Sequence, residues 1–73
     1  VIKIWPNPFE DKIQVALPIN TKYSLISMDG KIIIKNIAQS EVVEMVLSNI
    51  QSGMYYVVFE HNSKKIAIPV VKK

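Results

Sequence analysis

The sequence predicts an all-β fold, and three observations support this prediction. The aliphatic residues are mostly β-branched, with 12 Ile and 9 Val against 3 Leu and 3 Ala, and such side chains favour strands over helices. Apolar and polar residues alternate in several short runs, which is the pattern of half-buried strands. Gly, Pro, Asn and Asp separate these runs, as expected of the turns between strands.

The length and composition predict a single domain over residues 1–73. A chain of 8.3 kDa buries about 60% of its unfolded surface, enough for one small core. The positive mean hydropathy of +0.21 is atypical of a disordered tail. The chain starts at Val1 with no basic-then-apolar leader, so we expect it to be a piece of a longer precursor.

The first predicted strand covers residues 1–5 and ends at the prolines of residues 6–9. Each proline holds its preceding residue extended and has no N–H to donate to a ladder. The second strand covers residues 12–17 and alternates in polarity. Its inward face comprises Ile13, Val15 and Leu17.

The third and fourth strands form a predicted hairpin. A loop over residues 18–21 leads to a strand at 22–28. Asp29-Gly30 follows, and this pair is the strongest signal for a two-residue hairpin turn. Residues 31–36 then return as the fourth strand.

Residues 40–53 are compatible with a helix or a strand. The helical alternative has Ser40 as N-cap, Gly53 just past the end, and a stripe formed by Val42, Val43, Val46, Leu47 and Ile50. The strand alternative places Val43, Met45 and Leu47 on one face. The β-branched content favours the strand.

The last two strands complete the predicted architecture. Residues 54–60 are apolar on both faces, as expected of a central strand, and residues 61–64 read as a four-residue hairpin loop before a strand at 65–71. Seven short strands with frequent turns predict an immunoglobulin-like, seven-stranded antiparallel β-sandwich. Its predicted core comprises Ile13, Val15, Leu17, Tyr23, Leu25, Tyr55, Val57 and Phe59.

Two features of the outer surface follow from this assignment. Tyr56 and Val58 must point outward if their neighbours on the central strand point inward. Ile33 is likewise an apolar residue that is expected to point outward from its own strand. An exposed apolar face of this kind indicates self-association or a docked partner. Trp5 either plugs the end of the sandwich or provides a platform for a sugar ring, and the plug is the more common role.

The sequence offers no catalytic, metal or cofactor site. It contains no Cys and one His, which excludes thiolate zinc sites and a two-histidine site, and His61 is expected at an exposed hairpin tip. The nine basic residues are all Lys and are scattered along the chain. This is expected of a solvent-exposed sheet whose edge strands carry lysines that oppose aggregation. We expect no enzyme activity, no cofactor and no nucleic-acid partner.

Four motifs in order resemble the C-terminal sorting domain (type A) of the type IX, or Por, secretion system. The first motif is Trp5-Pro-Asn-Pro-Phe9, followed by Asp11 and Ile13, and the second is the run from Leu25 through Met28-Asp-Gly30 to Ile33. The third is Leu47-Ser-Asn-Ile50 together with Ser52-Gly53-Met-Tyr55, and the fourth is the C-terminus that ends in two lysines. The resemblance covers nearly the whole chain. It implies an immunoglobulin-like sandwich at the end of a Bacteroidetes cargo protein.

The resemblance also assigns residues to motif positions. Asn7-Pro8 match the family's Asn-Pro turn, which aims the first strand into the second, and Asp11 is expected to cap that turn. Gly30 matches the hairpin glycine. Gly53 and Tyr55 match the Gly-x-Tyr that opens the central strand.

The terminal segment is the expected recognition element. Pro69, where members often carry Lys, indicates an edge strand, which could pair with a partner's strand. Lys72 and Lys73 are expected to add charge recognition from a flexible position, although they could be only solubilising residues. The residues assigned to partner recognition are therefore Lys72, Lys73, Tyr56 and Val58.

The function that the resemblance implies is sorting of an attached N-terminal cargo domain. Outer-membrane shuttle and translocon proteins would carry the cargo from the periplasm across the outer membrane to the surface or beyond. A sortase could then remove the domain and attach the cargo to the surface. The alternative is a non-catalytic accessory or carbohydrate-binding module of a larger secreted protein.

Overall fold

The computed structural model describes residues 2–73, so Val1 of the first predicted strand lies outside it. Residues 2–73 contain seven strands and no helix, which confirms the all-β prediction. Accordingly, no helix in this range is long and apolar enough to cross a membrane. The strands are β1 (Lys3–Trp5), β2 (Lys12–Ala16), β3 (Lys22–Ser27), β4 (Ile32–Ile37), β5 (Val42–Val46), β6 (Gly53–His61) and β7 (Lys64–Lys72).

The strands form two antiparallel sheets that enclose one hydrophobic core. One sheet has the order β1-β2-β5 and the other the order β4-β3-β6-β7, as expected of a β-sandwich. All eight residues predicted for the core are buried. The core also contains five residues that the predicted core did not include: Phe9, Ala38, Met45, Leu47 and Val70.

Residues 42–46 form a strand, so the helical alternative for residues 40–53 is wrong. β5 pairs with β2 along its whole length. Met45 and Leu47 are buried and Val43 packs against the core, whereas Val42 and Val46 are 48% and 65% exposed. This is the alternation that the strand alternative predicted, and β-branched residues satisfy it at little conformational cost.

Both predicted hairpin turns have a different length from the one expected. Between β3 and β4, the Ser27 N–H donates to Lys31 O at 2.9 Å and the Gly30 N–H to Ser27 O at 3.0 Å. Gly30 has a φ of +88°, so this is a three-residue loop that ends in a glycine bulge. Between β6 and β7, His61 pairs with Lys64, and Asn62 and Ser63 form a two-residue turn with positive φ.

A bulge in the β3–β4 pair corrects the prediction for Ile33. The register shifts between Leu25 and Ile26, which pair with Ile34 and Ile32 respectively. Ile33 is therefore the extra residue of β4, and it packs against the core with Ile34. Ile32 takes the exposed position and is 54% accessible, because a bulge shifts the alternation of side chains by one residue.

Replacing Gly30 by Val is expected to lower the free energy of unfolding by at least about 1 kcal/mol, because a β-branched residue resists positive φ. A side chain at this position meets no atom within 4 Å, so backbone strain alone is tested. Gly30→Asn is the matched control, since Asn tolerates this conformation. Urea unfolding of both variants measures the difference, and equal stability would contradict the assignment.

Candidate partner-binding surfaces

The C-terminal strand β7 is an edge strand, as Pro69 predicted. It has one neighbour, β6, in its sheet. The Val71 N–H and C=O are bonded to Asn7 and Phe9 rather than to β6. Because backbone groups alternate along a strand, those of Pro69, Ala67 and Lys65 also face away from β6. Proline is tolerated at position 69 because the N–H that it lacks would point outward.

The Asn7 side chain binds the outward edge of β7. Its Oδ1 accepts from the Val71 N–H at 3.0 Å, and its Nδ2 donates to Pro69 O over a longer 3.5 Å. A carboxamide has one acceptor and one donor group, so it can satisfy two strand-edge groups at once. Asn7-Pro8 was predicted only to aim β1 into β2, and the contact with β7 is an addition that the structure reveals.

Phe9 continues this contact with its main chain and anchors it with its ring. Its N–H donates to Val71 O at 2.9 Å, and its C=O accepts from the Lys73 N–H at 2.8 Å. Phe9 thereby forms a parallel bridge with Lys72, and its ring is fully buried. The flexible position expected for Lys72 and Lys73 is therefore wrong, because residues 7–9 bind the end of β7.

The remaining open edge of β7 is short. Residues 7–9 cover the outward backbone groups of Pro69, Val71 and Lys73. The outward backbone groups that remain available for strand pairing belong to Lys65 and Ala67. Two residues supply at most four backbone hydrogen bonds. Backbone pairing of another strand along this edge is therefore limited to two residues of β7.

The other motif residues support the fold near these surfaces. The Tyr55 ring is buried and its hydroxyl donates to Gln51 O at 2.6 Å, and Gly53 pairs with Lys72 at a φ of +141°. The bond found for Asp11 uses its main-chain carbonyl, which accepts from the Leu47 N–H at 2.6 Å. The expected side-chain cap by Asp11 is thus replaced by a main-chain contact between strands.

Tyr56 and Val58 point away from the core, as predicted. Tyr55, Val57 and Phe59 are buried, whereas Tyr56 and Val58 between them are half-buried. The residues that pair with Tyr56 and Val58 on β7 are Pro69 and Ala67, and both are exposed. This outer face of the four-stranded sheet is the second candidate surface.

His61 and Trp5 do not have the environments expected of them. His61 is half-buried, and its Nδ1 lies 3.3 Å from the hydroxyl of the fully buried Thr21, because the register that pairs Lys22 with Glu60 brings the next residues of the two strands together. Trp5 is 40% exposed, so it does not plug the sandwich; it lies on β1, a three-residue edge strand.

The titratable side chains of the described residues show no metal-binding cluster, and the hydrogen bonds of Asp29 stay within its own hairpin. Residues 2–73 contain no group of three metal-ligating side chains. The Ser27 hydroxyl donates to the exposed Asp29 carboxylate and lowers the pKa of that group, with further contributions from backbone N–H groups and from Lys31. Asp29 is thus an ionised turn residue whose hydrogen bonds serve its own hairpin.

Comparison with known proteins identifies the family. No curated protein matches the chain. PorZ, described as an essential bacterial surface component of the type-IX secretion system of Porphyromonas gingivalis, contains a similar fold with a TM-score of 0.87 at 17% identity. The match covers 99% of this chain and 11% of PorZ, so the chain spans about a tenth of that protein's length. The profile of secretion system C-terminal sorting domains matches residues 3–73, and the chain therefore belongs to this family.

Proposed function

We propose that residues 1–73 form one domain that directs a cargo protein, attached on its N-terminal side, through the type IX system across the outer membrane. The observation that carries this proposal is the family match over residues 3–73. The fold shared with a domain of PorZ is consistent with it. The cargo would pass from the periplasm to the cell surface or the medium, and the domain itself would catalyse no reaction.

We propose further that shuttle or translocon proteins recognise the end of β7. Lys73 is exposed, and its N–H is bonded to Phe9; Lys72 lies within β7. Two ammonium groups are therefore presented from a fixed backbone, which lowers the entropy lost when an acidic partner site binds them. The exposed face around Tyr56 and Val58 would supply apolar contacts. Removal of the domain by a sortase and surface attachment of the cargo would follow.

The experiment fuses residues 1–73 to a reporter that carries a periplasmic export signal, in a host with a type IX system. Lys72→Gln with Lys73→Gln keeps the backbone bond to Phe9 and removes both charges. We expect the double variant to leave most of the reporter in the periplasm, with unchanged thermal unfolding of the purified domain. The measurement is the amount of reporter in periplasm, on the surface and in the medium.

The matched control is Lys64→Gln with Lys65→Gln at the opposite end of β7, which removes the same charge from the same strand. Normal secretion of both double variants would show that the terminal lysines are only solubilising. Failure of the unaltered fusion to leave the periplasm would contradict the sorting function itself.

An accessory role in carbohydrate binding is the second candidate, and the exposed ring of Trp5 is the observation that favours it. A flat exposed indole can stack on a sugar ring. The chain has one Trp, so its fluorescence reports on this position alone. A saturable fluorescence change on addition of soluble polysaccharide, together with calorimetric binding that is lost in Trp5→Ala, would support this candidate over the sorting function.

A further inference from the structure

The edge strands of the two sheets, β1, β5, β4 and β7, differ in how far their outward backbone groups are covered. Residues 7–9 leave two residues of β7 open, and β1 has only three residues. On β4, the Asn36 Oδ1 accepts from the outward Ile37 N–H at 2.8 Å, and the bulge interrupts the ladder. β5 has none of these features, so its edge is open over most of its length.

The outward backbone groups of β5 belong to Val42, Glu44 and Val46. The Leu47 N–H donates to Asp11 O at 2.6 Å, so the odd-numbered residues of this segment face β2. The even-numbered residues face away from it, because backbone groups alternate along an antiparallel strand. Of their N–H and C=O groups, the Val42 C=O accepts from a serine hydroxyl at 2.8 Å. The alternation leaves the other five groups pointing away from the sheet.

The side chains at the edge of β5 are apolar for an exposed strand. Val42 and Val46 are 48% and 65% exposed, and β5 contains neither Lys nor Pro, the residues that commonly protect an edge. Its one charged residue is Glu44, whose exposed ion pair with Lys12 is long, at 3.8 Å. An open edge with exposed β-branched residues is a template for an added strand.

A groove lies beside this edge, between β5 and β4. Its volume is about 400 Å³, and its lining includes Asn36, Gln39 and Ser40. Glu44 is the one charged residue among the side chains that line it. β4 and β5 are edges of different sheets and do not pair with each other. An added strand therefore has space beside β5 for polar side chains on its inner face, and the local charge favours a cation.

We propose that β5 binds an extended segment of a partner protein in which a Lys or Arg lies between two apolar residues at alternate positions. The segment pairs with β5 and extends the three-stranded sheet to four strands, which is β-strand addition. Its cation lies opposite Glu44, and its apolar side chains lie opposite Val42 and Val46, because directly paired residues share one face of a sheet.

The charge of Glu44 disfavours a second copy of this chain as the occupant. In the two-fold register that uses all three outward residues of β5, Glu44 lies opposite Glu44 of the second copy. Like charges in directly opposite positions are destabilising, whereas a cation on a different partner is attracted. β5 and β4 are the ends of their sheets opposite to β1 and β7, so the bound segment leaves the end of β7 accessible. The proposal does not rest on the sorting function.

The probe is a synthetic heptapeptide, acetyl-Thr-Val-Thr-Lys-Thr-Val-Thr-amide, added to the 73-residue chain. Chemical-shift titration gives its dissociation constant, and NMR follows amide hydrogen exchange. At a peptide concentration about ten times that constant, exchange at Glu44 and Val46 should slow about tenfold. The amide of Met45 faces β2 and should be unchanged. Unaltered exchange at Glu44 and Val46 throughout the titration would overturn the proposal.

N-methylation of the peptide tests strand pairing without altering the protein. When the peptide Lys lies opposite Glu44, its N–H faces β5, and the N–H of the next Thr faces away. A methyl group on the Lys nitrogen should abolish binding, since it removes a donor and separates the strands. A methyl group on the Thr nitrogen is the matched control and should preserve binding. Equal effects of the two methyl groups would contradict strand addition.

Charge reversal tests the choice of partner chemistry. Glu44→Lys should raise the dissociation constant of the Lys peptide about fivefold, which corresponds to the upper range for an exposed ion pair. A peptide with Glu in place of Lys should bind this variant better than the Lys peptide does. The matched control is Glu60→Lys, which makes the same charge change at an exposed position of the other sheet and should leave the constant unchanged. Equal effects of the two substitutions would overturn the role of Glu44.

Discussion

Val57→Asp is expected to abolish folding of the chain, whereas Val58→Asp is expected to leave it folded. Val57 is fully buried in β6, between Leu25 of β3 and Ile68 of β7. An unpaired carboxylate at such a position costs several kcal/mol even when it is neutralised by protonation. A domain of this length has a total stability of about 4–11 kcal/mol, so the substitution removes most of it.

Val58 is the matched control because it is the adjacent residue of the same strand and takes the same substitution. It is half-buried on the outer face, where a carboxylate stays in contact with water. Far-ultraviolet circular dichroism and urea unfolding distinguish the two variants. A folded Val57→Asp variant, or similar losses in both, would show that β6 does not present these residues to opposite faces.

Phe9→Ala is expected to lower the free energy of unfolding by about 3–5 kcal/mol, the range for a fully buried phenylalanine. The ring has no exposed surface, and its removal leaves a cavity. The Phe9 main chain also holds Val71 O and the Lys73 N–H. We therefore expect the amide of Lys73 to exchange faster with solvent, because it loses its bonded partner when residues 7–9 detach.

The control for this prediction is Trp5→Ala, which removes a larger aromatic ring from the same part of the chain. Trp5 is 40% exposed, so we expect a much smaller loss of stability and no change in exchange at Lys73. Urea unfolding and amide hydrogen exchange measure both effects. Equal destabilisation by the two variants would show that Phe9 does not anchor the end of β7.

Most of the fold could be predicted because local alternation carries the information. In β2 and in the first half of β3 the apolar residues recur at every second position, and this period determines which side chains face the core. The strand at residues 42–46 was harder, since its apolar spacing also fits a helix. Its β-branched residues resolved the ambiguity, because they lose little side-chain freedom in a strand.

The lengths of the turns and the bulge at Ile26 could not be predicted. Asp29-Gly30 indicates a turn, but a two-residue and a three-residue loop differ by the register of the strands that they join. Ile32, Ile33 and Ile34 are chemically identical, so nothing local distinguishes the two that contact the core from the one that is exposed. The pairing of β4 with β3 decides this.

The candidate surfaces depend even more on tertiary structure. From the sequence alone, Asn7-Pro-Phe9 reads as a rigid turn, and the family resemblance adds that its residues match a motif. Its contact with Val71, which is 62 positions beyond Phe9 and 64 beyond Asn7, exists only after the two sheets have packed. The outer face of the four-stranded sheet is likewise assembled from two hairpins, β3–β4 and β6–β7, that are separated in sequence by β5.

Residue types and short-range periodicity were enough to predict the all-β class and the inward residues, and four motifs in order were enough to show the likeness to a secretion signal. The packed fold was needed to show that residues 7–9 cover the end of β7 and that Lys72 and Lys73 extend from an ordered strand end. These features depend on strand pairing and sheet packing, which join positions far apart in the chain. Alternation specifies which way a side chain faces but not which strand lies beside it.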